Sequence, residues 1–213
     1  MEKIKIAVFV SGSGTNLQAL IDASKSGIIK HGELSLVISS NPEAYAINRA
    51  ELAGIPVCVV AKKSCKDQAE FECKLIKELS RHDIGLIVLA GFMSILSADF
   101  TSKYPGRIIN VHPSLIPSFC GKGYYGLKVH EDALKYGVKV TGATVHFVNE
   151  IPDGGQIIAQ KAIKIRECDT PETLQHRVME NAEWVILPKA AEKVAKELLR
   201  ETDKTNTPEK EKS

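Results

Sequence analysis

Along the first half of the chain, short apolar runs alternate with helical patterns. Ile4 to Val10 is a β-branched run closed by a glycine turn, which predicts a buried strand. Leu17, Leu20, Ile21 and Ala23 recur at the spacing of one helix face, so 16–26 reads as a helix. The alternation continues with a strand over 34–39, a short helix over 46–53 ended by Gly54, and a strand over 56–60. A longer helix follows over 66–81, with Phe71, Leu75, Ile76 and Leu79 on one face, then strands over 86–89 and 108–111. Strands this uniformly apolar, separated by helices, predict a parallel sheet covered on both faces.

After Val111 the texture changes. Pro113, Pro117, Gly121, Gly123 and Gly126 mark a long loop. A helix over 129–136 is expected next, then strands over 139–148 and 157–165 joined by the loop 149–155. The stretch 170–200 reads as mostly helical, with Pro171 in its first turn and Pro188 breaking or kinking it. Residues 201–213 are polar, charged and without apolar period, and are expected to be disordered. The pattern predicts one α/β domain over 1–200. Its open, twisted, mostly parallel sheet carries helices on both faces, with an antiparallel addition in its C-terminal part.

Composition narrows the partners. The 213 residues are 44% hydrophobic and 25% charged, ordinary for a globular domain. With 28 basic and 26 acidic residues, and no basic stripe, a nucleic-acid partner is not expected. No segment reaches membrane-spanning length, and the N-terminal apolar run is too short for a signal peptide, so a cytoplasmic location is expected. Cys58, Cys65, Cys73, Cys120 and Cys168 form no CxxC pair and read as separate reduced thiols. The six histidines are scattered, so no metal is expected.

Three segments carry candidate chemistry. Strand one ends in Ser11-Gly12-Ser13-Gly14-Thr15-Asn16 before a helix, where glycines let the backbone approach a ligand and helix amides attract an anion. A third glycine and a carboxylate after the second strand are both missing, which disfavours a dinucleotide; a single terminal phosphate fits better, and a simple serine or threonine helix cap is the plainer reading. Asn110 and His112 lie two residues apart at a strand end and so share one side of it. An amide and an imidazole facing a common cleft suit a reaction with an oxyanion, though both residues also serve ordinary loop roles. Asp153, before Gly154 and Gly155, reads as a turn; close to His112 it would favour the imidazolium. His146 alternates between Val145 and Phe147, and its face is open at this stage.

Together with Leu89-Ala90-Gly91-Phe92-Met93 and the segments 110–117 and 142–155, these residues resemble the folate-dependent phosphoribosylglycinamide formyltransferases over nearly the whole chain. The resemblance implies a Rossmann-like formyltransferase fold and formyl transfer from 10-formyltetrahydrofolate to the amine of glycinamide ribonucleotide in purine synthesis. It implies catalytic roles for Asn110, His112 and Asp153. Gly14, Thr15, Asn16 and Glu183 would bind the ribonucleotide. Met93, Ser94, Ile95 and Leu96, with Asn149, Glu150, Ile151, Pro152 and Asp153, would bind the folate. The chain departs from common family patterns at Ser94, Glu180 and Trp184 and in a longer 120–128 stretch. Related hydrolases of 10-formyl folate and methionyl-tRNA formyltransferases carry an additional domain, which favours the ribonucleotide acceptor over water or tRNA. A non-catalytic binding module would have no need of Asn110, His112 and Asp153 together. Small-molecule substrates, no membrane, and a monomer or homodimer are expected, with Cys120 a bystander.

Overall fold

Residues 2–206 are described by the computed structural model. The apolar runs become the central strands of one seven-stranded sheet, in the order β3-β2-β1-β4-β5-β6-β7. These are β1 (Ile4–Val10), β2 (Gly32–Ser39), β3 (Val57–Val59), β4 (Leu86–Leu89), β5 (Ile108–His112), β6 (Val140–Phe147) and β7 (Ile157–Lys164). The pairs β1–β2, β1–β4, β2–β3 and β4–β5 are parallel, whereas β5–β6 and β6–β7 are antiparallel. The strand order turns back on itself between β1 and β4, the point where open sheets of this kind leave a crevice at their carboxyl ends.

Helices α1 (Thr15–Lys25), α2 (Ala46–Leu52), α3 (Gln68–Arg81), α4 (Ala98–Thr101), α5 (Leu127–Tyr136), α6 (Pro171–Val178) and α7 (Trp184–Asn206) surround the sheet. Ile6 to Val10 of β1 are completely buried because both faces are covered. Val8 and Val10 pack with Leu17, Leu20, Leu187 and Ala191 on one side; Ala7 and Phe9 pack with Phe71, Leu75 and Phe100 on the other. Each such side chain contributes roughly 1.5–3 kcal/mol relative to exposure, so the sheet centre is the part of the fold least able to shift.

Local signals set the helix ends. Asp67 accepts the Glu70 amide at the start of α3, and Thr170 exchanges hydrogen bonds with Thr173 ahead of Pro171 at the start of α6. Two features depart from the sequence expectation. Helix α4, a single turn capped by Ser97, is too short to declare a period. Pro188 does not end the C-terminal helix; it lies within α7. Pro188 has no N–H to offer the Trp184 carbonyl, and the irregularity is a π-helical turn immediately upstream, Met179–Glu183. Helix α7 also continues to Asn206, into the stretch expected to be disordered, while 207–213 lie outside the described residues.

Candidate active site

The β1–α1 connection is built around Gly14. It has φ 73° and ψ 28°, and a Cβ there would stand 2.6 Å from the Ala46 Cβ, so backbone conformation and close packing both demand glycine. No side chain caps α1, which sets aside the plain serine or threonine cap. The first-turn amides therefore stay open for an anion. The loop lines a cavity of about 180 Å³ with Ala90, Gly91 and Met93.

Asn16 and Glu183 meet beside this loop. Asn16 Nδ2 donates to Glu183 Oε2 at 2.6 Å, and Asn16 Oδ1, also buried, has no partner among the described residues. The Thr15 hydroxyl lies 3.9 Å from the Met179 sulfur. Glu183 projects from the π turn and is 6% exposed. Burial pushes its carboxyl up to about 7, against the opposing pull of the Asn16 amide.

The second group sits where the sheet changes direction. Antiparallel pairing sets Asn110 of β5 opposite His146 of β6, and His112 opposite Thr144. Asn110, His112 and His146 then share one face, because directly opposed residues do. Asp153 comes to them on the turn after β6. Its Oδ1 is 3.5 Å from both Asn110 Nδ2 and His146 Nε2, and its Oδ2 is 3.5 Å from His112 Nδ1. Gly155 permits that turn, since a Cβ there would overlap the Phe147 carbonyl. Burial alone raises the Asp153 carboxyl. The neighbouring His146 and His112 rings and the Gly121 amide outweigh it and hold the group below the ordinary carboxylate range.

His112 is held at both nitrogens. Nε2 donates to the Phe119 carbonyl at 2.9 Å, while Nδ1 faces Asp153. Two acceptors favour the doubly protonated ring. Burial nonetheless pulls the His112 imidazole below its ordinary value, with Asp153 and Phe119 only partly restoring it and His146 opposing them. Asp153 acts toward the imidazolium, but desolvation is the larger effect and the net shift is downward. Phe119 occupies positive φ, at 49°, a costly conformation for a bulky residue that keeps its carbonyl on His112. Gly121 donates its amide to Asp153 Oδ2 at 2.8 Å, so the 113–126 loop is fastened to both groups.

A slot of about 120 Å³ opens beside Asn110 and His146. Ser94, Ile95 and Leu96 line one side of it and Asn149, Glu150, Ile151, Pro152 and Asp153 the other. Met93 lines the adjoining cavity instead, 55% exposed. That larger cavity, about 670 Å³, is bordered by Asn16 and Glu183 and also by Asn110, His112 and Asp153. One continuous space therefore touches both polar groups, at a size suited to small-molecule ligands. Of the sequence-predicted residues, Gly14 and Thr15 line only the phosphate-loop cavity. Gln175, Met179, Tyr124 and Tyr125 also border the large cavity and had no sequence signal beyond glycine-rich or helical context. His130 borders it as well; buried on α5 with both ring nitrogens unpartnered, it was detectable only as a polar residue beside the buried Val129 and Ala133. Burial first, and His112 second, push it down to about 4.

Comparison with known proteins bears on the same residues. The formyl transferase family model matches residues 4–190, which include the phosphate loop, Asn110, His112, Asp153 and Glu183. The chain belongs to the formyl transferase family. Among relatives, it is 42% identical over 174 residues to the phosphoribosylglycinamide formyltransferase of Bacillus subtilis, covering 82% of this chain and 86% of that protein. It is 43% identical over 194 residues to the human trifunctional purine biosynthetic protein adenosine-3, covering 91% of this chain but 18% of that longer protein. The crystal structure of glycinamide ribonucleotide transformylase 1 from Symbiobacterium toebii superimposes with a TM-score of 0.85 at 38% identity, covering 92% of this chain and 89% of that one. The expected formyltransferase fold is thus borne out. Among the described residues, no helix is long and apolar enough to cross a membrane.

Proposed function

We propose that this chain transfers the formyl group of 10-formyltetrahydrofolate to the amine of N1-(5-phosphoribosyl)glycinamide, a step of purine (IMP) synthesis carried out in the cytoplasm without a metal. The observation that carries this reading is the single cavity of about 670 Å³ bordered by Asn16 and Glu183 and by Asn110, His112 and Asp153. Gly14, Thr15 and Asn16 hold the phosphate through the open start of α1. Glu183 takes the ribose hydroxyls, its carboxyl shifted by burial toward the protonated form that can donate as well as accept. The folate lies along Met93, Ser94, Ile95 and Leu96 and against Asn149, Glu150, Ile151, Pro152 and Asp153. Apolar Ile95, Leu96 and Ile151 with polar neighbours suit a flat heterocycle.

The amine attacks the formyl carbon, and the former carbonyl oxygen takes the negative charge. Asn110 needs no titration to stabilise it. One Nδ2 hydrogen goes to His146 Nε2 at 3.2 Å, and the other, only loosely directed at Asp153, turns to the oxyanion. His112 joins when its ring is protonated and the Phe119 carbonyl releases Nε2; Asp153 supports that protonated ring. Asp153 then moves the amine proton toward the departing folate nitrogen, directly or through water. Atoms balance without a covalent enzyme intermediate. The test is incubation with 10-formyltetrahydrofolate, with and without the ribonucleotide, following deformylation by absorbance. Turnover that requires the ribonucleotide is expected. Equal turnover without it makes the protein a hydrolase, and none in either case overturns the reading.

A further inference from the structure

An anion loop must present its amides and turn its carbonyls away. In the 11–14 loop every carbonyl oxygen is taken by a donor outside the anion cavity. Asn41 Nδ2 reaches the Ser11 carbonyl at 3.5 Å, and the Ala46 amide at the start of α2 donates to Gly12 at 3.1 Å. Arg49 Nε donates to Ser13 at 2.9 Å, and the Gln18 amide within α1 donates to Gly14 at 2.9 Å. Three of these four donors are backbone amides or a neutral amide side chain. Arg49 alone brings charge.

Arg49 is itself fixed on three sides. Its Nη1 donates to Gln18 Oε1 at 3.0 Å, its guanidinium carbon lies 5.1 Å from the Tyr45 ring centre, and its Cδ would lie 3.3 Å from a Cβ at Gly14. Among the described residues it makes no ion pair with a carboxylate. A half-buried cation beside an anion loop, with no internal counter-charge, leaves its field directed at whatever anion the loop holds.

We infer that Arg49 is a positioning residue of the phosphate site: it turns the Ser13 carbonyl outward and supplies the unneutralised positive charge behind the loop. This rests on the phosphate reading above, and its ligand class is a phosphomonoester. Loss of a charge-assisted hydrogen bond predicts about tenfold weaker phosphomonoester binding in Arg49→Met. The KM for the ribonucleotide should rise by a similar factor, with kcat within about twofold and the folate KM unchanged, because no transition-state contact is removed.

The experiment is calorimetric titration of ribose 5-phosphate into wild type, Arg49→Met and Arg49→Lys, with melting curves on the same samples. Wild-type binding, a roughly tenfold loss in Arg49→Met and partial recovery in Arg49→Lys support the inference. Arg49→Met binding as tightly as wild type overturns it and leaves the phosphate reading standing. Failure of wild type itself to bind overturns the phosphate reading, and the role of Arg49 with it. Should Arg49→Met not fold, Arg49→Lys decides: one ammonium cannot hold both Ser13 and Gln18, so affinity equal to wild type overturns the inference.

Discussion

The two ends of the site, the loop cavity and the large cavity that it meets at Asn16, are built from different material. At the end proposed for the phosphate the working groups are backbone amides, held by Gly14, where a Cβ would stand 2.6 Å from that of Ala46. At the end proposed for formyl transfer they are side chains, Asn110, His112, His146 and Asp153, each held by another member of the set or by a loop carbonyl or amide. A backbone site varies little with pH and is exposed to changes in chain geometry. A side-chain site is the reverse: its strand survives substitution, and its chemistry does not.

The largest effect should separate the ends cleanly. Asn110→Ala removes an oxyanion donor and should lower kcat on the order of 100–1000-fold, with the ribonucleotide KM near wild type in steady-state kinetics. A matching rise in KM would assign Asn110 to binding. Gly14→Ala attacks the other end. Forcing a Cβ to 2.6 Å from Ala46 at φ 73° should cost about 2–4 kcal/mol in denaturant unfolding. Unchanged stability there would show that α2 yields freely.

Glu183→Gln probes the buried carboxyl that meets Asn16 beside the 11–16 loop. Burial raises this carboxyl from 4.5 to about 7, so between those values the folded protein keeps a proton that the unfolded chain has lost. The contribution of Glu183 to stability therefore falls as pH rises through that window and levels off above it. Relative to wild type, Glu183→Gln should gain up to about 3 kcal/mol between pH 4.5 and 7 in chemical denaturation. A constant difference across that range would mean the carboxyl is already charged at low pH. The smallest effect is Cys120→Ser. Burial, then Asp153, push this thiol up, and it donates to the Pro117 carbonyl at 3.3 Å. Turnover should stay within about twofold, since the thiol is poorly suited to be a nucleophile; a hundredfold loss would make it a participant.

The same contrast explains what was legible in the sequence. The parallel half could be read because Ile4–Val10 and Leu86–Leu89 are apolar on both faces and bounded by glycine or loop residues. The open start of α1 could be read because a turn that brings the backbone close needs glycines at fixed places. Asn110 and His112 were visible as a pair through the period of two. That Asp153 meets them was not derivable, because it depends on the β5–β6 register and on a turn whose conformation Gly155 allows. The face of His146 was open for the same reason, and pairing with Asn110 decides it. His130 had no partner to announce it, and helix periodicity cannot distinguish a π turn from an ordinary one.

That π turn determines which residues of the C-terminal helices can look inward. The buried stripe runs through Leu174, Val178 and Ala182 and continues through Ile186, Ala190 and Val194, with Leu187 and Ala191 buried beside it. The π turn takes one residue more than an α turn, and within it Ala182 and Glu183 are both buried. The extra residue lets the chain keep its apolar seam and insert an acid into it. Removing Ala182 would therefore restore an unbroken α-helix, regain regular hydrogen bonding and turn the acid away from Asn16. Length, more than side-chain identity, is what this segment cannot give up.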